Sequence, residues 1–214
     1  MSANNSAARE AARLRAPQGG LWRRVLAWLG LDVGARRREA VAARWDLGAA
    51  AEARTADMLT AIEAAGWVVL HDRALPRSRA NLDHVLVSPC GTAVVVLDTK
   101  RWHAQRQTVL LRGRVHCGRE DRHRQIEAVA RYAARVAEAV GLPAGSVWPL
   151  LVVHGSPVAG GRLEARAPGW DGPVWVLDPQ HLVPTLAAAP AGRDPRRAGV
   201  LAARVAEVLP PYPG

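Results

Sequence analysis

The chain has 214 residues, of which 49% are hydrophobic, and a formal net charge of +10 at neutral pH. That length provides one well-packed domain with an extension and excludes two large domains. Two cysteines exclude a disulfide framework and a cysteine-rich zinc site, so a reducing cytoplasm is the expected compartment. The charge favours a polyanionic partner, either nucleic acid or an anionic membrane surface.

The first part of the chain predicts an extension that is separate from the main domain. Residues 1–44 are expected to form a basic N-terminal extension, and residues 45–210 an α/β domain. Within the extension, residues 21–31 place apolar side chains from Trp22 to Leu29 on one face of an amphipathic helix. This pattern is typical of a helix that docks on its own domain, and binding to an anionic membrane surface is the alternative.

The main domain opens with a predicted helix over residues 47–65. Asp46 is a suitable N-cap, and Gly66 a suitable end. Leu59 marks the face of this helix that turns toward the core. Glu52 lies seven residues before Leu59, almost two full turns, so it projects toward the same face. A carboxylate on a core face needs a partner or a ligand.

Two apolar runs next predict an antiparallel β-hairpin. Residues 82–87 and 93–97 flank the turn-forming residues 88–91. If the hairpin is centred between Cys90 and Gly91, opposed residues have numbers that sum to 181. Asp83 then lies opposite Asp98 on the same face of the sheet. The two carboxylates would repel each other, and a hard divalent cation such as Mg²⁺ or Mn²⁺ would remove the conflict.

Lys100 shares that face, because it lies two residues beyond Asp98 on the same strand. It is the single lysine among 29 basic residues. Arginine keeps its charge on a flat fork, whereas lysine is a compact point charge whose pKa shifts readily. The exception at this position therefore indicates a requirement for an amine. A solvated surface lysine is the alternative interpretation.

Downstream of the hairpin the sequence predicts further strands and two helices. Residues 155–173 are rich in glycine and proline and predict a loop. Gln125 falls on the apolar stripe of the predicted helix over residues 121–140, where a polar group needs a partner. Residues 99–135 hold ten basic and three acidic side chains, which is typical of a phosphate-binding face. One predicted strand, residues 67–70, precedes the hairpin. The predicted strands after it are residues 108–111, 147–154 and 174–177, and the predicted helices are residues 121–140 and 193–209.

Three motifs resemble those of the nuclease-related domain family, NERD, a branch of the PD-(D/E)XK nuclease superfamily. They are GAAAE at residues 48–52, ANLDH at residues 80–84 and LDTKRW at residues 97–102, followed by Gln125. The resemblance covers roughly residues 45–155. It implies a restriction-endonuclease-like α/β core, with a central mixed sheet, a β-hairpin that carries the site, and flanking helices.

The resemblance also implies Mg²⁺-dependent cleavage of DNA phosphodiester bonds. Asp83 and Asp98 would be metal ligands, and Lys100 the catalytic lysine. Glu52 would act from the first helix as a ligand or through a water molecule, and Gln125 would assist positioning. Asp98 stands where the family commonly has glutamate. The alternative is a non-catalytic module of the same fold that binds nucleic acid or an anionic membrane through its arginines.

Overall fold

A computed structural model describes residues 33–189 and 192–213, with side chains described from Asp46 onward. Residues Ala51–Pro213 form one compact unit. The helices are α1 (Val33–Glu63), α2 (His123–Val140), α3 (Pro179–Ala187) and α4 (Pro195–Val208). The strands are β1 (Val68–Ala74), β2 (Asn81–Val87), β3 (Val94–Arg101), β4 (Thr108–Leu111), β5 (Arg114–Cys117), β6 (Glu120–Asp121), β7 (Val147–His154), β8 (Arg162–Ala167) and β9 (Trp170–Leu177).

The core is a six-stranded sheet in the order β1-β2-β3-β7-β9-β8. Strands β1, β2 and β3 pair antiparallel, β3, β7 and β9 pair parallel, and β8 returns antiparallel to β9. A second sheet, in the order β4-β5-β6, lies in the connection between β3 and α2. This mixed sheet with flanking helices confirms the predicted α/β fold class.

Helices bury both faces of the central sheet. One apolar cluster joins α2 and α4 to side chains such as Val85 and Val96, and the other joins α1 and α3 to side chains such as Leu86 and Leu97. Leu59 of α1 is fully buried, as its position on the predicted core face required. Burial of each such side chain stabilises the fold by about 1.5–3 kcal/mol.

The hairpin β2–β3 has the predicted register. His84 pairs with Leu97 and Val87 with Val94, so the numbers of opposed residues sum to 181. The turn depends on Gly91, whose φ of +64° suits glycine. A Cβ atom at this position would lie 2.5 Å from the backbone N of Ala198, so α4 packs directly on the turn.

Two predictions of secondary structure were wrong, the start of the first helix and the loop over residues 155–173, and both errors have a physical reason. Helix α1 does not begin after Asp46; it runs unbroken from Val33, because the alanine-rich sequence on both sides has high helix propensity. Residues 155–173 are not a loop, because β8 and the first half of β9 occupy most of that range. There the pairing of β9 with β7 and β8 overrides the turn-forming composition.

Residues 21–31 lie outside the described residues, so the amphipathic helix and its membrane alternative stay predictions, as does the boundary at residue 44. In the part of the chain that the structure describes, no helix combines the length and the apolar character needed to cross a membrane.

Candidate active site

The paired ends of β2 and β3 bring two carboxylates together. Extending the register by one position past His84 and Leu97 sets Asp83 opposite Asp98. The backbone N–H of Thr99 donates a hydrogen bond of 2.7 Å to Asp83 Oδ2, so the Asp83 side chain reaches across to β3. The Asp98 side chain is only 13% exposed. The structure thus sets the two carboxylates opposite each other, as the sequence predicted, and the site that holds them is poorly hydrated.

The surroundings of Asp83 disfavour its charge. Burial raises the pKa of this carboxyl group, and the negative charge of Asp98 raises it further. The positive charge of Lys100 and the N–H of Thr99 act in the opposite direction, but the pKa remains well above its usual value. An additional positive charge in this site would therefore stabilise the ionised pair.

Lys100 contacts Asp98 directly. Its Nζ lies 2.6 Å from Asp98 Oδ2 and donates a second hydrogen bond, of 3.2 Å, to the Thr99 carbonyl oxygen. Burial alone would lower the pKa of Lys100, but the charges of Asp98 and Asp83 and the hydrogen bond to Asp98 outweigh it. The pKa of the amine is therefore raised, and Lys100 carries its proton at neutral pH.

Glu52 joins the same electrostatic site from α1. Burial raises its pKa to about 7, with a further contribution from the charge of Asp72 on β1. Lys100 lowers the pKa of Glu52 and Asp98 raises it, which shows that these charges act on one another. Asp72 was absent from the sequence prediction; its backbone has a φ of +48°, which no sequence pattern indicated.

A chain of hydrogen bonds fixes α1 against β3 and β7. Thr99 donates to Thr55 at 3.2 Å, Thr55 donates to the Ala51 carbonyl oxygen at 3.2 Å, and His154 Nε2 lies 2.8 Å from Thr55 Oγ1. The Thr55 hydroxyl group thus lies within hydrogen-bonding distance of partners on α1, β3 and β7. We call Thr55, Thr99 and His154 the threonine–histidine clasp. Glu52 lies one helical turn before Thr55, so the clasp sets its position relative to β3.

Gln125 forms a hydrogen bond with a tryptophan that follows β3. Its Oε1 accepts a hydrogen bond of 2.9 Å from Trp102 Nε1, and Trp102 is 3% exposed just after β3. The amide on the apolar stripe of α2 therefore has a partner in the segment that leaves the site. A part for Gln125 in positioning the substrate stays a prediction.

A model of the nuclease-related domain family matches residues 47–154. The chain belongs to this family. The match contains Glu52, Asp83, Asp98, Lys100 and Gln125, together with the small sheet β4-β5-β6. Searches of curated proteins and of solved structures gave no match.

The carboxylates of this nuclease-related domain form a pair rather than a larger cluster. Among the described residues, no group of three or more His, Cys, Asp and Glu side chains is arranged to hold a metal ion. Mg²⁺ is commonly held by one or two carboxylates and keeps several of its waters. The oxygen donors of Asp83 and Asp98, and the cost of their mutual repulsion, fit Mg²⁺ or Mn²⁺ and do not fit the nitrogen and sulfur ligands of a typical zinc site.

The clasp was the main feature of the nuclease-related domain that sequence reasoning missed. Its histidine had a visible signal, because His154 ends the otherwise apolar run of β7. A polar residue at the end of a strand beside β3 lies at the same edge of the sheet as Lys100, and the register pairs Arg101 with His154. Thr55 had a weaker signal, its position three residues after Glu52.

Proposed function

We propose that this nuclease-related domain hydrolyses phosphodiester bonds of DNA with Mg²⁺ or Mn²⁺ as its cofactor. The observation that carries the proposal is the partly buried pair Asp83 and Asp98 with the Lys100 amine 2.6 Å from Asp98. A surface that only binds DNA gains nothing from such carboxylates, because they repel phosphate groups. A hydrolytic site uses them to hold a cation at the scissile phosphate.

Asp83 and Asp98 would hold the metal ion. A bound Mg²⁺ supplies Lewis-acid stabilisation of the phosphate and lowers the pKa of its water. In the metal-free site Asp98 and Asp83 raise the pKa of Lys100, so the amine is protonated there. As an ammonium group it is suited to stabilise the negative charge that develops on the phosphate during attack.

Glu52 is suited to a different part of the reaction. Because its pKa is raised to about 7, a large fraction of its carboxyl groups is ionised at neutral pH, and these can accept a proton from the attacking water. The clasp holds the helix that carries it. We therefore assign Glu52 as the residue that acts through a water molecule.

The test is cleavage of end-labelled duplex and single-stranded DNA with Mg²⁺, with Mn²⁺ and with EDTA. We expect Asp98→Asn and Lys100→Ala to lower the rate by about 10²–10⁴-fold without a loss of melting temperature. Lys100→Arg should also be inactive, because the guanidinium fork does not replace the compact amine. Arg196→Asn, on the exposed surface of α4, is the control with normal activity. Variants that cut as fast as the wild type would refute the assigned site.

One observation favours a second candidate function, a non-catalytic binding module. It is the excess of positive charge in residues 99–135, which hold ten basic and three acidic side chains. Under this alternative the chain binds nucleic acid or an anionic membrane in a salt-sensitive manner, and no metal produces cleavage. Deletion of residues 21–31 separates the two partners, because it would remove vesicle binding and leave DNA binding.

A further inference from the structure

The small sheet β4-β5-β6 is firmly attached at its base. Thr108 Oγ1 lies 2.7 Å from Ser156 Oγ, and the Thr108 N–H donates to the Pro157 carbonyl oxygen at 2.8 Å. Val115 and Cys117 of β5 are fully buried. These contacts fix the sheet to the segment that follows β7, and the sheet itself follows β3 in the chain. It therefore lies at the edge of the central sheet that carries the candidate active site.

The far end of this sheet is a tight, projecting hairpin tip. Arg112 and Gly113 have φ of +48° and +76°, and Leu111 pairs with Arg114 across the turn, as in a two-residue hairpin loop. A Cβ atom placed on Gly113 would meet nothing within 4 Å, so the tip stands in open space. Leu110 is 40% exposed and Leu111 50% exposed. Because successive side chains of a strand point to opposite faces, the two leucines expose apolar surface on both sides of the tip, which suits a contact with a partner.

Positive charge surrounds the two leucines. Residues 101–124 contain seven arginines and two carboxylates. Both carboxylates brace the base of the sheet: Glu120 pairs with Arg106 and Arg122, and Asp121 pairs with Arg114 at 2.7 Å. Within the part of the chain that the structure describes, no carboxylate pairs with Arg112 at the tip. The tip thus combines an apolar pair with an uncompensated cation.

We propose that the β4–β5 hairpin inserts into the minor groove of duplex DNA, with Arg112 on the phosphate backbone, Leu111 beside the turn wedged against a base-pair step, and Leu110 on the opposite face of the hairpin against the groove wall. Apolar side chains that enter this groove unstack a step and bend the duplex, and flanking cations hold the backbone. The proposal rests on the proposed function, and it deepens that function by naming duplex DNA as the form that the site meets.

The charge pattern favours DNA over a membrane as the occupant of this surface. An exposed leucine pair beside arginine would also suit an anionic bilayer. However, Arg101 at the end of β3 and Arg112 at the tip are both absent from the ion pairs among the described side chains. A phosphate backbone that contacts Arg112 at the tip and Arg101 beside Lys100 uses both cations, whereas a bilayer surface meets only the tip.

The test uses the full chain and a short duplex with 2-aminopurine at its centre, in EDTA so that no cleavage occurs. Fluorescence anisotropy gives the affinity, and the 2-aminopurine signal rises when the step is unstacked. For Leu110→Ser with Leu111→Ser we expect an affinity about tenfold lower and no rise in the signal. For Arg112→Asn, which retains a residue that tolerates positive φ, we expect a weaker salt dependence of binding, with the slope reduced by about 1.

The matched controls are Val200→Ser and Arg196→Asn, which remove an exposed apolar side chain and an exposed arginine from α4. Both should bind and unstack the duplex as the wild type does. Melting temperatures of all variants within a few degrees of the wild type show that the fold is retained, and the single variant Leu111→Ser serves if the double variant unfolds.

Three results would overturn the proposal. They are a wild-type chain that does not raise the 2-aminopurine signal, leucine variants that behave as the wild type, and leucine variants that lose binding to anionic vesicles but keep DNA binding. Cleavage is measured separately with Mg²⁺. If the wild type unstacks the duplex in EDTA through these leucines but never cuts it, the hairpin assignment stands and the nuclease assignment fails.

Discussion

The two ends of the central sheet differ in their side chains: one end is charged and the other is apolar. At the end where β3 and β7 finish, Asp83, Asp98 and Lys100 meet in a partly buried polar site. At the other end, a cavity of about 580 Å³ lies between the sheet and α3, with the tryptophans Trp148, Trp170 and Trp175 among its lining residues. Strand β7 runs from one end to the other, from Trp148 near its start to His154 at its end, so the difference comes from which positions along the strands carry polar groups.

The difference has an energetic meaning. The apolar end gains stability from the area it removes from water. The polar end loses stability, because carboxylates that repel each other in a poorly hydrated place raise the pKa of Asp83. Such a cost is typical of functional sites, where local rules of stability are broken for chemistry. Substitutions at the apolar end should therefore lower stability without changing the rate. Removal of a repelled carboxylate at the polar end should abolish cleavage and, without a metal ion, raise stability.

The largest expected effect on stability is at the apolar end. Leu186 of α3 is 2% exposed and lines the cavity. Leu186→Ala should lower the free energy of unfolding by about 3 kcal/mol, because it removes buried methyl groups and enlarges an existing void. Denaturant unfolding measures the change, and cleavage per folded molecule should stay at the wild-type rate. A fall in that rate would show that the two ends are coupled.

The next effect is at the polar end and has the opposite sign. Asp83→Asn removes a repelled charge while an oxygen remains to accept the hydrogen bond from Thr99. In EDTA at pH 8 the variant should be more stable than the wild type, because the poorly hydrated site no longer holds two carboxylates that repel each other.

Melting curves with and without Mg²⁺ complete that comparison. The wild type should gain melting temperature when Mg²⁺ is added, and Asp83→Asn should gain none. Asp171→Asn, which removes an exposed carboxylate beside the cavity at the other end, is the control and should match the wild type in both buffers. An Asp83→Asn chain that is less stable than the wild type in EDTA would contradict the repulsion on which the metal site rests.

A smaller gain is expected from filling the cavity. Thr185 lies on α3 and lines this space, partly buried. Thr185→Leu should raise the free energy of unfolding by about 0.5–1 kcal/mol, because it buries more apolar area and leucine has the higher helix propensity. The measurement is again denaturant unfolding. No gain, or a loss, would mean that the cavity does not accept the longer side chain.

The smallest effect concerns the clasp and depends on pH. Burial lowers the pKa of His154, and the charges of Arg54 and Arg101 lower it further. Because the folded pKa lies below the unfolded value of about 6.5, the contribution of His154 to stability is present above that pH and is lost as the pH falls below it. His154→Gln keeps an N–H for Thr55 and removes the titration. Its stability should fall less steeply than that of the wild type between pH 6.5 and pH 5, and parallel curves would contradict this.

The sequence determined the hairpin and its charged positions. Side chains alternate with a period of two along a strand, and the turn set the register, so the apposition of Asp83 and Asp98 followed from counting. Lys100 was marked in the same way, by its spacing from Asp98 and by its being the single lysine. The strand β7 was equally clear, because a long apolar run between turn residues has few alternatives.

Only the tertiary structure decided the contacts that support this site. The clasp joins Thr55, Thr99 and His154, which are up to 99 residues apart in the chain. Asp72 acts on Glu52 because β1 pairs beside β2. Strand β9 formed because β7 offered it a partner, and β8 formed because β9 did. The residues next to a given residue in the sequence do not indicate which distant residue it will contact. Local periodicity therefore defined where the carboxylates and the lysine lie, and long-range packing decided what holds them in place.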